Sequence, residues 1–527
     1  MKNANSIAII FFLSAIILSD NIAFASNPKD KPRIIVTADP ELDDNNSLIR
    51  FLLYSSEFNI EGLVYASSQF HWKGDGKGTK FMVPGREYTR YGLNLCPCES
   101  YRWKKDERFI HDAVEAYEKV FDNLKIHNPS YPSPRYLKSK IKYGNIEFEG
   151  EFTKDTEGSN LIKAAMLDDM PGPLYITAWG GQSTIARALK SIEEEFSQTD
   201  KWVALKQKIS KKVVLLPSGD QDNTYESYIK PNWPNIDYRQ YRNGPSYGYG
   251  AQLTAKEENA KYLTTEWMND YIVSKGALGT IYRVWGDGKQ QVKGDIFDYF
   301  GMTGYTNEEL KKLGYIVWMP IQKKGSWLGE GDTGTFMNII SNGLNADEKN
   351  TPGGWGGRPF VPDPKTYVNP FSNDTSKVKD LVISASTLQR LSSSDELAAE
   401  FPSFFPAAQN DFAARMDWSV KSDLRAANHA PIITLKMEQE IQAKPGDILS
   451  LNAKVKDSDG DAFTAKWWQF NKYKNAPVLV FSNSQSLKTT IEIPKDSQTN
   501  QTLYLVLEVV DNGRINMTSY QTVKIIL

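Results

Sequence analysis

The chain has 527 residues, 62 Lys and Arg against 64 Asp and Glu, and a formal net charge of −2. That length suits two or three domains at about 100–200 residues each, and 40% apolar with 24% charged residues is the composition of a folded soluble protein. A balanced charge excludes the basic field that gathers phosphate backbones, so no nucleic acid polymer is expected as a partner. Aromatic residues make up 12%, with 13 Trp and 26 Tyr, enough to stack on sugar rings as well as to fill cores.

Residues 1–25 read as a cleavable signal peptide. Lys2 supplies the positive start, residues 7–18 form an apolar stretch too short for a comfortable span, and Ala23-Phe24-Ala25 fits the small-x-small cleavage rule. No later run of about 20 apolar residues follows. A secreted or periplasmic bacterial protein with no membrane segment after cleavage is expected; an uncleaved N-terminal anchor is the alternative. The two cysteines, Cys96 and Cys98, flank Pro97. With no second pair or nearby His they make a poor zinc site, and simple packing is expected ahead of a local disulfide.

Residues 31–345 alternate strand and helix patterns. Ile34-Ile35-Val36-Thr37 is a β-branched run followed by an acidic loop and an apolar helical pattern at Leu48, Phe51 and Leu52. Leu174-Tyr175-Ile176-Thr177 is a second strand, residues 182–196 a helix, and Val213-Val214-Leu215-Leu216 a third strand. Such repetition predicts an α/β fold, a mostly parallel open sheet with helices on both faces, whose ligands bind beyond the carboxyl ends of the strands. Residues 346–428 read as an irregular connector with a helix over 388–418, packing on the first domain.

Residues 429–527 carry strand-like runs at 432–435, 448–455, 463–470, 489–493, 503–510 and 522–527, which predict an all-β sandwich. Within it, Asp457-Ser458-Asp459-Gly460-Asp461 invites a calcium-loop reading. The EF-hand pattern fails, because the glycine is misplaced and the twelfth position is Trp468, so a hairpin turn is preferred. This turn, with Trp467 and with Val509-Val510-Asp511-Asn512-Gly513, resembles immunoglobulin-like modules of the PKD and cadherin types. The histidines, His71, His111, His127 and His429, are scattered and suggest no triad or metal cluster.

The loop Thr37-Ala38-Asp39-Pro40-Glu41-Leu42-Asp43-Asp44 places four acids in six positions at the end of a strand. Crowded carboxylates repel unless something positive sits among them. Capping of the next helix explains Asp43 or Asp44 but not Asp39 as well, so a hard cation is favoured.

Asp39-Pro40-x-x-Asp43-Asp44 resembles the calcium signature of the nucleoside hydrolase superfamily, D-x-D-P-G-x-D-D, with Thr37 and Glu41 in place of the first Asp and the Gly. Ile60-Glu61-Gly62-Leu63-Val64 resembles that family's second strand, Gly180-Gly181-Gln182-Ser183-Thr184-Ile185-Ala186 its GPLTNIA helix start, and Glu330-Gly331-Asp332-Thr333 the place of its last calcium carboxylate. A divergent branch, the nucleoside hydrolase-like domain of secreted "cellulose-binding protein" sequences, is more similar still. It shares Thr-x-Asp-Pro-Glu-x-Asp-Asp, Gly219-Asp220-Gln221-Asp222, Lys275-Gly276-Ala277-Leu278-Gly279 and the segment from Gly353 to Arg358, with an immunoglobulin-like C-terminal domain. The resemblance implies a nucleoside hydrolase-like fold and a calcium ion held by Asp39, Asp44, Asp332 and the Ser183 carbonyl. Asp39 would take a proton from water, Asp43 would bond a ring hydroxyl, and Glu330 is the candidate acid for the leaving group. Gln69, His71, Gln182, Asp222, Asn223 and Trp355 are candidate substrate contacts. Gly331 stands where nucleoside hydrolases carry a leaving-group His, and Ser218 to Asn223 replaces their ribose-binding segment.

The implied activity is secreted, calcium-dependent hydrolysis of N- or O-glycosyl bonds on a glycan-derived or nucleoside-like sugar. The alternative is a non-catalytic carbohydrate-binding protein for a cellulose-like polysaccharide, with Trp72, Trp355, Trp467 and Trp468 as stacking surfaces.

Overall fold

The computed structural model describes residues 31–89, 92–242, 244–360, 401–473 and 475–527. The expected signal peptide, and the first part of the helix expected over 388–418, lie outside them. Six strands form one parallel sheet: β1 (Arg33–Ala38), β2 (Asn59–Tyr65), β3 (Ile141–Tyr143), β4 (Leu174–Ala178), β5 (Val213–Pro217) and β6 (Asp237–Tyr238). Their spatial order is β3-β2-β1-β4-β5-β6. Alternation divides each strand between two cores, because successive side chains point to opposite faces. Ile34, Val36 and Ala38 of β1 enter one apolar cluster with Tyr175, Val214 and Leu216, while Ile35 joins Leu174, Ile176, Val213 and Leu215 in the other.

Helices cover both faces. On the first, α1 (Leu42–Leu53) and α2 (Phe109–Glu118) bury Leu48, Phe51, Ile110 and Val114. On the second, α3 (Glu157–Leu167), α4 (Ser183–Phe196) and α5 (Trp202–Lys212) bury Ile162, Ile185, Leu189 and Ile209. Each such side chain stabilises the fold by about 1.5–3 kcal/mol relative to exposure. A later helix, α6 (Thr333–Met337), and the long α7 (Phe405–Val420) return to the first face through Phe336, Phe412 and Met416. Among the described residues no helix is long and apolar enough to cross a membrane.

A small antiparallel pair, β7 (Gln240–Arg242) with β8 (Arg358–Phe360), closes the Gly-rich segment back onto the first part of the chain. The C-terminal part forms two packed sheets. One is β10 (Glu440–Gln442), β15 (Thr518–Ile526), β14 (Thr502–Asp511) and β12 (Phe463–Gln469); the other is β13 (Lys488–Glu492), β11 (Ile448–Lys456) and β9 (Ile432–Leu435). Leu451, Ile491, Leu505, Leu507 and Val523 fill the space between them.

Three expectations are corrected. The turn after β11 is not a hairpin: β11 pairs with β9 and β13, β12 pairs with β14, and residues 457–461 carry the chain from one sheet to the other. Cys96 and Cys98 are not two packed thiols but a disulfide. His127 and His429 are not scattered, since their rings stack with 5.2 Å between centroids and His127 Nδ1 lies 3.1 Å from His429 Nε2.

Candidate metal centre and sugar pocket

The strand order reverses direction between β1 and β4, and a crevice opens there beyond the carboxyl ends of the strands. The acidic loop follows β1 at that point, and Gly180-Gly181 follows β4. A Cβ on Gly180 would stand 3.0 Å from the Asp39 carboxyl carbon, so the bare backbone lets the β4 loop lie against that side chain. The helix α1 begins after Glu41, whose side chain makes no capping bond. Asp44 does not cap either: its Oδ1 accepts the Asp39 amide at 3.0 Å.

Carboxylate oxygens gather in two groups that share Asp44. Asp39, Glu41 and Asp44 each bring an oxygen within 4.8 Å of the others, and so do Asp43, Asp44 and Asp332. Asp39, Asp44 and Asp332 are buried. Asp332 accepts the Ser218 hydroxyl at 2.5 Å, and Asp43 accepts the Tyr249 hydroxyl at 3.1 Å. Among the described residues Asp39 forms no ion pair, and Ser68 is the side chain that most favours its charge.

Burial, before anything else, pushes the Asp39 carboxyl up to about 7, and the charge of Asp43 adds to it while Ser68 and Arg102 oppose. Burial lifts Asp43 to about 6 against the Tyr249 hydroxyl and nearby amides. Glu41, Asp44 and Asp332 stand well above the usual carboxylate range, again through burial and then mutual repulsion. Arg102, whose charge opposes the shifts of Asp39 and Glu41, donates to Asp295 at 2.6 Å and Glu87 at 3.2 Å. Crowded, desolvated carboxylates with only one nearby guanidinium charge among them suit a hard divalent cation bound through oxygen.

The acids open into a cavity of about 740 Å³ lined by Phe70, Arg102, Tyr241, Arg242, Tyr249 and Trp318 as well as Glu41, Asp43, Asp44 and Asp332. Tyr249 and Trp318 meet edge to face at 5.0 Å, an aromatic wall beside the carboxylates.

The family described as cellulose-binding Sde182, nucleoside hydrolase-like domain, matches residues 33–359, and the C-terminal domain of cellulose-binding protein Sde0182 matches residues 448–527. The chain belongs to the Sde182 nucleoside hydrolase-like family. A solved structure from Saccharophagus degradans, described as a nucleoside hydrolase-related hypothetical protein associated with carbohydrate metabolism, is 24% identical. It covers 94% of this chain and 99% of its own, with a TM-score of 0.64, a likeness of fold. The PKD domain from the KIAA 1837 protein, 19% identical over 16% of this chain and 78% of its own, has a TM-score of 0.13 and carries no argument. No curated protein matches the chain.

Within this Sde182-family chain the sequence-predicted residues separate into two sets. Asp39, Asp43, Asp44 and Asp332 come together. Ser183 opens α4, where its amide donates to Asp222 Oδ2 at 2.9 Å. Asp222 also accepts the Thr224 amide at 3.0 Å, and Asn223 adopts a φ of 61°, so the two residues form a tight turn, while Ser218 and Gln221 before them line the cavity. Gln182 is buried and donates to the Gly219 carbonyl and the Tyr238 hydroxyl, both at 3.2 Å. Gln69 and His71 are buried as well, and the residue between them, Phe70, faces the cavity. His71 Nδ1 lies 2.7 Å from the Arg102 carbonyl, and burial followed by the Arg102 charge holds its ring well below the usual imidazole range.

Glu330 is corrected from a leaving-group acid to half of a buried ion pair. Its Oε2 lies 2.5 Å from Arg50 Nε, both side chains are 0% exposed, and it does not line the cavity. Trp355 is corrected too: it is 1% exposed inside the first core, and only its neighbour Gly356 reaches the cavity. Trp72 and Trp467 are equally interior, and Trp468 packs on Phe470 at 5.2 Å. Gly331 has a local reason. A Cβ there would stand 2.1 Å from Asp43 Oδ2, so no side chain fits while Asp43 holds its place.

Sequence reasoning missed Glu87, Arg102, Tyr241, Arg242, Tyr249 and Trp318. They come from loops far from the motifs, and nothing in their local pattern announces a cavity. Glu41 was counted among the four acids of the loop but was not named as a ligand.

Proposed function

We propose that the protein hydrolyses a glycosidic bond of a sugar held in the 740 Å³ cavity, with a hard divalent cation, calcium, held by the carboxylates at the end of β1. The observation that carries this reading is the crowding of five carboxylates into two groups that share the buried Asp44, with Asp43 bonded to Tyr249 of the aromatic wall. Asp39, Glu41, Asp43, Asp44 and Asp332 are the chain's ligand set for that cation. Calcium bound there supplies orientation of sugar hydroxyls and water more than acidity. Asp39 accepts the proton of the attacking water as its oxygen bonds the anomeric carbon and the glycosidic bond breaks, the departing group takes its proton from solvent, and Asp43, held by Tyr249, bonds a sugar hydroxyl. The aromatic wall receives the apolar face of a ring. Cleavage develops positive charge on the sugar, which the surrounding carboxylates favour.

Two observations favour a second reading, a non-catalytic carbohydrate-binding protein. The family descriptions name cellulose binding, and neither Gly331 nor the paired Glu330 offers an acid to the leaving group. Either role fits an exported protein. A panel of cello-oligosaccharides, other glycans and nucleosides decides between them. Release of reducing sugar or free base that stops on chelation and in Asp39→Asn supports hydrolysis. Retention on insoluble cellulose, with no product from any substrate, refutes it and supports binding.

A further inference from the structure

A cluster of three rings joins the first domain to the C-terminal sandwich. His127 closes the short helix Phe121–His127 on the first domain, and His429 stands just before β9 of the sandwich. Both are 1% exposed. Trp418 of α7 stacks on each, with 5.8 Å between ring centroids to His127 and 5.2 Å to His429, and its Nε1 donates to the Asn428 carbonyl at 2.8 Å.

The ring nitrogens of the two histidines form one chain of contacts. His127 Nε2 lies 2.8 Å from the Lys421 carbonyl, His127 Nδ1 lies 3.1 Å from His429 Nε2, and His429 Nδ1 lies 3.1 Å from each oxygen of Asp459. A carbonyl brings no proton to a hydrogen bond, and neither does a carboxylate, so His127 Nε2 and His429 Nδ1 each carry one. The contact between the rings needs a third, whereas two neutral imidazoles hold only two. The chain is therefore complete only when the pair holds one extra proton and a positive charge. Asp459 supplies the opposite charge at the ring edge, and the Trp418 face attracts a cation stacked on it. Asp457 and Asp461, each with an oxygen within 4.8 Å of Asp459, strengthen the negative potential on the sandwich side. Of the other acids nearby, Asp417 of α7 is taken by Lys275 Nζ at 2.6 Å, and Asp511 accepts Asn428 Nδ2 at 3.0 Å. Burial, opposed by the bond to the Lys421 carbonyl and aided by the charge of the other ring, holds His127 below the usual imidazole range, so the extra proton belongs on the His429 side of the pair.

We propose that His127 and His429 form a pH-sensitive latch, which holds the sandwich on the first domain while the two rings share one extra proton and releases it when that proton leaves or a second arrives. Without the shared proton two nitrogen lone pairs face each other across 3.1 Å; with a second, two N–H groups do. The closed pair holds one extra proton. Two released histidines together hold two well below about pH 6.5 and none well above it. Below that value the released state therefore binds more protons, and above it the closed state does. The latch is tightest near about pH 6.5 and loosens on both sides, by up to about tenfold in its closing equilibrium per pH unit.

The test reads the charge and tautomer of the histidine rings by nitrogen-15 NMR of the full wild-type chain, from about pH 5 to about pH 9. His71→Gln and His111→Gln identify the two rings outside the latch, so the reading does not depend on a latch variant that folds. Near about pH 6.5 the expected result is one neutral ring with its proton on Nε2 and one doubly protonated ring, the two changing together on either side. Trypsin cleavage at Arg425, exposed between α7 and the sandwich, is followed in parallel, each rate divided by that of Asp459→Asn at the same pH. That ratio should lie well below one near about pH 6.5 and rise toward one in acid and in alkali. Two neutral rings at that pH, rings that titrate independently of each other, or a cleavage ratio that stays constant with pH would overturn the proposal.

Discussion

Replacing Glu330 by Gln separates a structural role from a chemical one. Arg50 and Glu330 are both fully buried, and the guanidinium also donates to the Ala408 carbonyl at 3.2 Å and to Gln409 Oε1 at 2.5 Å while lying 3.9 Å over the Phe412 ring. Glu330 accepts the Tyr282 hydroxyl at 2.5 Å and the Thr333 hydroxyl at 3.0 Å. Gln has nearly the same shape, so little packing is lost; what disappears is the negative charge facing Arg50. Removing one side of a buried pair costs about 3–5 kcal/mol. The hydrogen bonds and ring contact that Arg50 keeps place the expected loss near the lower end, about 3 kcal/mol, or roughly 3–4 °C in unfolding temperature for a unit of this size. Urea unfolding followed by tryptophan fluorescence should show a lower midpoint with an unchanged slope. Arg50→Met with Glu330→Leu, which removes both charges, should cost less than Glu330→Gln alone. Unchanged stability in Glu330→Gln together with loss of turnover would return Glu330 to the chemistry and refute this reasoning.

Three further outcomes follow from the acid group and its cavity. Folded Asp39 and Asp43 titrate near 7 and 6 without metal, against about 3.9 for an unfolded Asp. The folded chain therefore binds more protons than the unfolded one between those values, and metal-free stability falls as pH rises from about 4 to 7. Chelated protein should melt higher at about pH 5 than at about pH 7.5, and added calcium should raise the melting temperature most at the higher pH; a metal-free profile that rises with pH contradicts this. Gly331→Ala drives a methyl into Asp43 and should cost about 1–3 kcal/mol and weaken calcium binding in calorimetry; unaltered affinity would mean that Asp43 is no ligand. Trp318→Ala removes part of the aromatic wall and should weaken sugar binding about threefold to tenfold, roughly 0.5–1.5 kcal/mol, with the calcium count unchanged; equal affinity would place the sugar elsewhere.

The parallel sheet was legible because β-branched runs, polar loops and helical spacing recur in order. The edge strands β3 and β6 were not, since each spans only two or three residues. The acidic loop was legible because capping could not explain four acids in six positions. Glu330 misled because its partner Arg50 lies 280 positions away, and a carboxylate beside a ligand motif reads alike whether it faces solvent or a guanidinium. The Asp457 turn misled for a related reason: Asp and Gly shape a hairpin and a crossing between sheets with the same local bonds. Trp355 was conspicuous among glycines, but the glycines let the backbone fold closely enough to bury it. Gly354 and Gly356 both face the Asn338 side chain, where a Cβ would crowd it.

The most direct measurement is anomalous scattering from a crystal grown with calcium, read at the carboxylates between β1 and β4. A peak within about 2.3–2.6 Å of oxygens of Asp39, Asp44 and Asp332, with open positions toward Tyr249 and Trp318, is the predicted result. No peak at saturating calcium, with those carboxylates protonated against one another or swung onto Arg102, contradicts it.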